Sequence, residues 1–177
     1  GTGRCRRDSG RAVQEVGRLE PGAVGVAGDV CDRPYRPTRA VVVLARGLET
    51  QRGSLAGTRV CRVAGARDTW RRGGEPGALA VLDTFQNVEA ATGLTRSVSI
   101  ERLGLHACLV PYRAVRRHHP VIPDPDPRMK WHVLIMHAEV GRGSDGGVLV
   151  DPAEWDYVAL GGEHRHTKLS DRVRYPG

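Results

Sequence analysis

Short apolar runs separated by glycine, proline or charge recur along this chain, and they set the order of its elements. Gly22 to Gly28, GAVGVAG, is apolar and closes at Asp29; Thr58 to Gly65, TRVCRVAG, repeats the form. Runs of this length bounded by glycine predict buried strands. Elsewhere the apolar residues take helical spacing. Ala12, Val16 and Leu19 follow Ser9 as N-cap, and Thr38 opens TRAVVVLARGLE as a second N-cap. Pro21-Gly22 ends the first helix, Pro34 and Pro37 mark a loop, Thr69 to Gly77 is polar and glycine-rich, and Ala78 to Phe85 predicts a further short helix. Helix, strand, helix, strand, helix is the order of a parallel sheet covered by helices.

The pattern then changes. Ser97 to Tyr112, SVSIERLGLHACLVPY, predicts two β-rich runs joined near Arg102-Leu103-Gly104. Pro120 to Pro127 holds four prolines in eight residues and must be an extended loop. Lys130 to Val140, KWHVLIMHAEV, is the strongest strand, and Gly141 to Gly147 is a loop. Asp151-Pro152 opens a short helical turn, and Asp156 to Leu160, DYVAL, is the last clear strand. No segment repeats another.

Composition narrows the class. The 177 residues suit one domain, and 40% hydrophobic content can fill a core. With aromatics at 5%, that core must be mostly Val, Leu and Ala. The net charge of +7 is carried almost wholly by arginine, since Lys130 and Lys168 are the sole lysines. Such a surface favours phosphate-bearing partners, although an arginine-rich composition alone also produces it. Cys5, Cys31, Cys61 and Cys108 form no CxxC pair, so a zinc ribbon or redox motif is unsupported. Cys31, Cys61 and Cys108 lie in or beside apolar sequence, as buried thiols of a reduced protein do. No apolar run approaches the roughly 18 residues of a membrane span, and GTGRCRRDSGR has no apolar signal core. A cytoplasmic protein with no membrane partner is the expectation.

Four apolar runs end at chemically capable residues. GAVGVAG ends at Asp29, TRVCRVAG at Ala66-Arg67-Asp68, HVLIM at His137, and DYVAL at Gly162-Glu163-His164. In an open α/β sheet the loops beyond the strand C-termini form the ligand crevice. A carboxylate and two or three histidines are therefore expected at one edge. For any one of them a plain structural role is the commoner case: a strand-end Asp caps a turn, and a surface His is simply solvated.

These stretches resemble a known family. VAGDVCD looks like the GDxxD motif of calcineurin-like metallophosphoesterases, VAGARDTW stands where that family has GNHD, IMHAEV resembles its isolated strand-end histidine, and DYVALGGEHRH resembles its GHxH. AGDVCDRPY, the Pro-Tyr-Arg run, DYVALG with HRH, and Arg174-Tyr175-Pro176-Gly177 are similar to the DNA-repair exonuclease branch, the SbcD-type nucleases. The resemblance covers nearly the whole chain from about Ala12. It implies an α/β fold: a layered β-sheet core flanked by helices, as one domain over residues 1–177. It further implies two metal ions, roughly 3.5–4 Å apart, that clamp a phosphate ester while a metal-bound water attacks. On it Asp29 matches the carboxylate bridging both metals, His137 a ligand of one and His164 a ligand of the other. Asp32 matches the second acid of GDxxD, with a structural role.

The departures from the pattern bear on activity. Ala66 replaces the family's Asn ligand, Arg67 its catalytic histidine, and Gly162 the first histidine of GHxH. The opening DxH strand has no counterpart, since Asp8 is followed by Ser9-Gly10, and the sequence stops at Gly177 where the family continues. A domain cut at both ends, or altered from a longer enzyme, is expected on that resemblance. Each metal keeps two protein ligands, Asp29 with His137 and Asp29 with His164, and such binding is weak and loosely oriented. Arg67 adds a fixed positive charge beside the cations. It can instead pair with Asp29 or hold a phosphate. His118, His119 and His166 are available as replacement ligands, but no spacing requires them.

Two functions follow as expectations. One is a degenerate phosphoesterase-like domain with little or no catalysis, a scaffold or a module that binds DNA or another phosphate-bearing ligand through Arg67, Arg71 and Arg72. Arg116-Arg117 belongs to the same argument, although arginine pairs are somewhat more often solvated surface than a binding patch. The other is an active phosphodiesterase or nuclease, dependent on manganese or another divalent metal, using Asp29, His137, His164 and substituted ligands. A sheet edge left open in place of the first strand predicts a homo-oligomer or a partner subunit docked there.

Overall fold

A computed structural model describes residues 21–28, 57–68, 85–116, 120–138, 151–163 and 165–176. The helices expected behind Ser9 and Thr38, all of Ala78–Phe85 but Phe85, and the loops at 69–77 and 141–147 lie outside these residues. So do Asp29, Asp32, Arg71, Arg72, His118, His119 and His164.

Two sheets make up the described fold. The first holds β1 (Ala23–Ala27), β2 (Arg59–Val63) and β3 (Val88–Ala91), all parallel and in that order. The second holds β4 (Arg96–Ile100), β5 (Leu105–Val110), β6 (Trp131–His137), β7 (Tyr157–Gly161), β8 (Thr167–Lys168) and β9 (Val173–Tyr175), in the order β4-β5-β6-β7-β9-β8. Its centre, β5-β6-β7-β9, is parallel, and antiparallel strands close both edges. Regular helix is scarce among the described residues. It comprises α1 (Tyr112–Val115) and 3-10 turns at Glu101–Leu103 and Pro152–Glu154.

Both expected strands of the N-terminal half form, as do those at 97–110, 131–137 and 157–161. Two differences have local causes. Pro111 stops β5 because it brings no N–H to the ladder, and it serves as the N-cap of α1, so Tyr112 leaves the sheet. Val88–Ala91 is a strand despite the sequence VEAA, two of whose residues are alanine; it exists because β2 offers it a parallel edge. The chain also gains β8 and β9 after DYVAL, the run that sequence alone makes the last strand.

Alternation divides the core. On β5, β6 and β7, Leu109, Ile135 and Ala159 are side-by-side partners and join Cys61, Val63 and Ala91 of the first sheet in one buried cluster. The residues between them, Cys108, Leu134, Met136, Val158 and Leu160, pack on the other face with Trp155, Ala114 and Tyr175. Strands buried on both faces need nearly continuous apolar sequence, hence ACLV, VLIM and YVAL. Each such fully buried side chain contributes roughly 1.5–3 kcal/mol of burial energy.

The ends of the sheets away from the strand C-termini are laced by Arg102, whose Nη2 donates to the carbonyls of Gly22 (2.8 Å) and Gly57. Thr58 Oγ1 donates to the Pro21 carbonyl at 2.8 Å. Among the described residues β1 is an edge of its sheet. No helix among them is long and apolar enough to cross a membrane.

Candidate functional site

Register and alternation bring three strand ends together. His137 is the last residue of β6, directly beside Gly161, the last of β7. Both continue the row of Ile135 and Ala159, so both belong to the face turned toward the first sheet. The end of β1 lies over them. A Cβ built on Gly28 would stand 3.7 Å from His137 Nδ1 and 3.9 Å from Gly161 Cα. His137 is 5% exposed, a buried imidazole in the seam where the two sheets meet.

Glycine is required there. A Cβ on Gly161 would fall 2.5 Å from the Ala27 carbonyl oxygen and 2.8 Å from His137 Nδ1, so the seam closes only without a side chain. Gly162 has φ +120°, a backbone conformation that L side chains rarely adopt, and its Cβ position lies 3.8 Å from His137 Nε2. Position 162, where the metallophosphoesterase pattern has a histidine, thus faces His137 with a backbone shaped for glycine.

Tyr112 joins β2 to this place. Its N–H donates to the Ala64 carbonyl at 2.9 Å, and its ring meets that of His137 edge-on, with centroids 5.8 Å apart. Beyond Ala64 the chain turns at Gly65, whose N–H donates to Asp68 Oδ2 at 3.2 Å. Asp68 is 2% exposed, while Arg67 beside it is exposed. The turn therefore buries its acid and presents its arginine.

Of the residues expected at the site, His137 is in the seam, and Arg67 lies one turn beyond the strand that Tyr112 ties to it. His166 is exposed on the segment before β8. Asp29 follows Gly28 directly, and His164 stands between the exposed Glu163 and Arg165, but neither is itself among the described residues. Among the described residues no three His, Cys, Asp or Glu side chains converge as a metal-holding group. His137 is the expected metal ligand that the described residues place in this seam. The sequence alone did not single out Tyr112 or the closeness of Gly161 to Ala27. Pro111 marks the bend that frees Tyr112 from the sheet, but the contact it then makes is tertiary.

No protein-family model matches this chain, and no curated protein matches it.

Proposed function

We propose that the chain is a metallophosphoesterase-like domain that has kept the strand-end crevice of that family without its full catalytic metal set, and that it binds phosphate-bearing partners, DNA among them, instead of hydrolysing them. The observation that carries this reading is the meeting of β1, β6 and β7 around His137, with Gly162 in the slot that faces the imidazole. The order of motifs along the sequence supports the layered sandwich with flanking helices that the family has, over one domain. The substitutions Ala66, Arg67 and Gly162 fall on metal or catalytic positions of the pattern, which leaves Asp29, His137 and His164 as remnants of a ligand set.

Arg67 gives the crevice a different chemistry. A guanidinium holds a phosphate through parallel N–H donors and needs no metal to do so. Arg71 and Arg72 follow four and five residues later and add to the same charge. An arginine surface of this kind recognises backbone phosphate, not base sequence.

A salt titration of single-stranded DNA binding tests the proposal. Affinity is expected to fall linearly in log–log form as salt rises, and Arg67→Ala is expected to flatten the slope by about one phosphate contact. A slope near zero for the unmodified chain overturns the phosphate-binding role.

A further inference from the structure

At the end of the second sheet opposite His137, two histidines hold the backbone N–H and carbonyl of one residue, Asp126, in the proline-rich segment. His106 of β5 and His132 of β6 are direct partners across the parallel ladder. The Asp126 N–H donates to His106 Nδ1 at 3.3 Å. The Asp126 carbonyl lies 2.9 Å from His132 Nε2 and, being an acceptor only, must receive a proton from it. Between Pro123 and Pro127 only Asp124 and Asp126 have a backbone N–H at all, so the Asp126 amide is one of two donors by which this stretch can be tied down.

The two rings are held in opposite ways. Because its Nδ1 accepts, His106 must be neutral with the proton on Nε2. It is 3% exposed and stacked on the buried Trp155 at 6.0 Å. Burial, and then the neighbouring His132, push its pKa below the usual 6.5, with Asp126 acting the other way. His132 has an acceptor on each side: the Asp126 carbonyl at Nε2, and Asp156 Oδ2 at 3.5 Å from Nδ1.

The charged groups around the pair complete the picture. Asp126 spends its carboxylate on Arg128, at 3.0 Å from Nε and 2.8 Å from Nη2. Asp156 also accepts from the His132 N–H at 2.8 Å. Arg172 donates to the carbonyls of Ala153 and Trp155 from the segment before β9. Cys108, two residues along β5, is buried with its thiol pushed up to about 12 and carries no charge. Neither of these carboxylates, Asp126 nor Asp156, is bonded to the His106 ring.

We propose that His106 and His132 form an acid-released clamp. At neutral pH they hold residues 120–127 against the outer face of the second sheet, and protonation of His106 lets that segment go. A proton on His106 Nδ1 turns an acceptor into a donor facing the Asp126 N–H. It also sets a positive charge 6.4 Å, centroid to centroid, from the His132 ring, whose neighbourhood already disfavours a charged His106. The segment carries Ile122, which packs on the cluster of Trp155, Val110 and Leu134, so its release uncovers that face.

Hydrogen exchange of the Asp126 amide, followed by NMR on the full chain from pH 7.5 to pH 5, tests the clamp. The amides of Leu109 and Leu134 report global opening. After correction for intrinsic exchange, Asp126 protection is expected to fall up to tenfold per pH unit below the His106 titration. Leu109 and Leu134 are expected to keep theirs. His106→Phe keeps a ring on Trp155 without an acceptor, and its Asp126 amide is expected to be weakly protected already at pH 7.5 and unchanged by acid. Unchanged Asp126 protection in the natural chain, or a loss that tracks Leu109 and Leu134, overturns the proposal whether or not the variant folds.

Discussion

The Cβ position of Gly161 lies 2.5 Å from the carbonyl oxygen of Ala27, so the last residues of β7 and β1 touch backbone to backbone. Nothing in that contact can rotate away. Gly161→Ala must therefore push the sheets apart at the site, and overpacking of this kind costs about 1–3 kcal/mol. Urea unfolding is expected to show a lower midpoint at unchanged slope. A midpoint equal to that of the natural chain would mean the seam is looser than described.

Gly162 tests the same seam from the other side. On the proposed metallophosphoesterase reading a histidine stands at position 162; Gly162→His sets that side chain toward His137, but at φ +120°. The strain is expected to cost about 1–3 kcal/mol of stability. Manganese affinity measured by calorimetry is expected to stay weak, because on the proposed reading Ala66 and Arg67 also stand at ligand or catalytic positions of the pattern. A variant that binds manganese tightly without losing stability would contradict the proposed loss of the metal set at positions 66 and 67.

The thiols give a chemical check on the two cores. Burial, and then Glu89, push Cys61 up to about 11; burial pushes Cys108 up to about 12. The thiolate is the reactive form, so both should resist alkylation at pH 8 in the folded chain and react once urea unfolds it. Peptide mapping by mass spectrometry after iodoacetamide treatment reads this directly. Prompt native labelling of either cysteine would contradict the packing of its cluster.

The acid limb of stability has two parts with the same sign. His106 has its pKa lowered by burial and His132, so its contribution is present above 6.5 and is lost as pH falls through the lowered value. Asp126 is held at about 2, against 3.8, first by the Arg128 side chain and then by the Arg128 backbone N–H. Its contribution is present above 3.8 and is lost as pH falls through about 2. Thermal midpoints across pH are expected to decline first below 6.5 and again below 3.8. His106→Phe is expected to remove the first decline and keep the second; a variant that keeps both would assign the first to another group.

Much of this architecture is legible in the sequence because strands buried on both faces must be apolar nearly throughout. ACLV, VLIM and YVAL could hardly be anything else in a chain with so few aromatic residues. VEAA was not legible, since its place in the first sheet comes from the edge of β2 and not from its own residues. At the site, the strand-end position of His137 could be read from its run. The partners of that histidine could not, because the approach of Gly28, Gly161 and Tyr112 depends on how two sheets stack. The pairing of His106 with His132 was hidden for the same reason: 26 positions separate them, and only the parallel register of β5 and β6 sets them side by side.

The central claim is that the crevice of a phosphoesterase persists here without its metal chemistry. Calorimetric titration of the full chain with manganese, run beside a cleavage assay on single-stranded DNA and a simple phosphodiester, tests it most directly. Weak or undetectable manganese binding and no turnover are the predicted result, with DNA binding retained at low salt. Tight binding of two manganese ions per chain, with turnover abolished by Asp29→Ala, would contradict it.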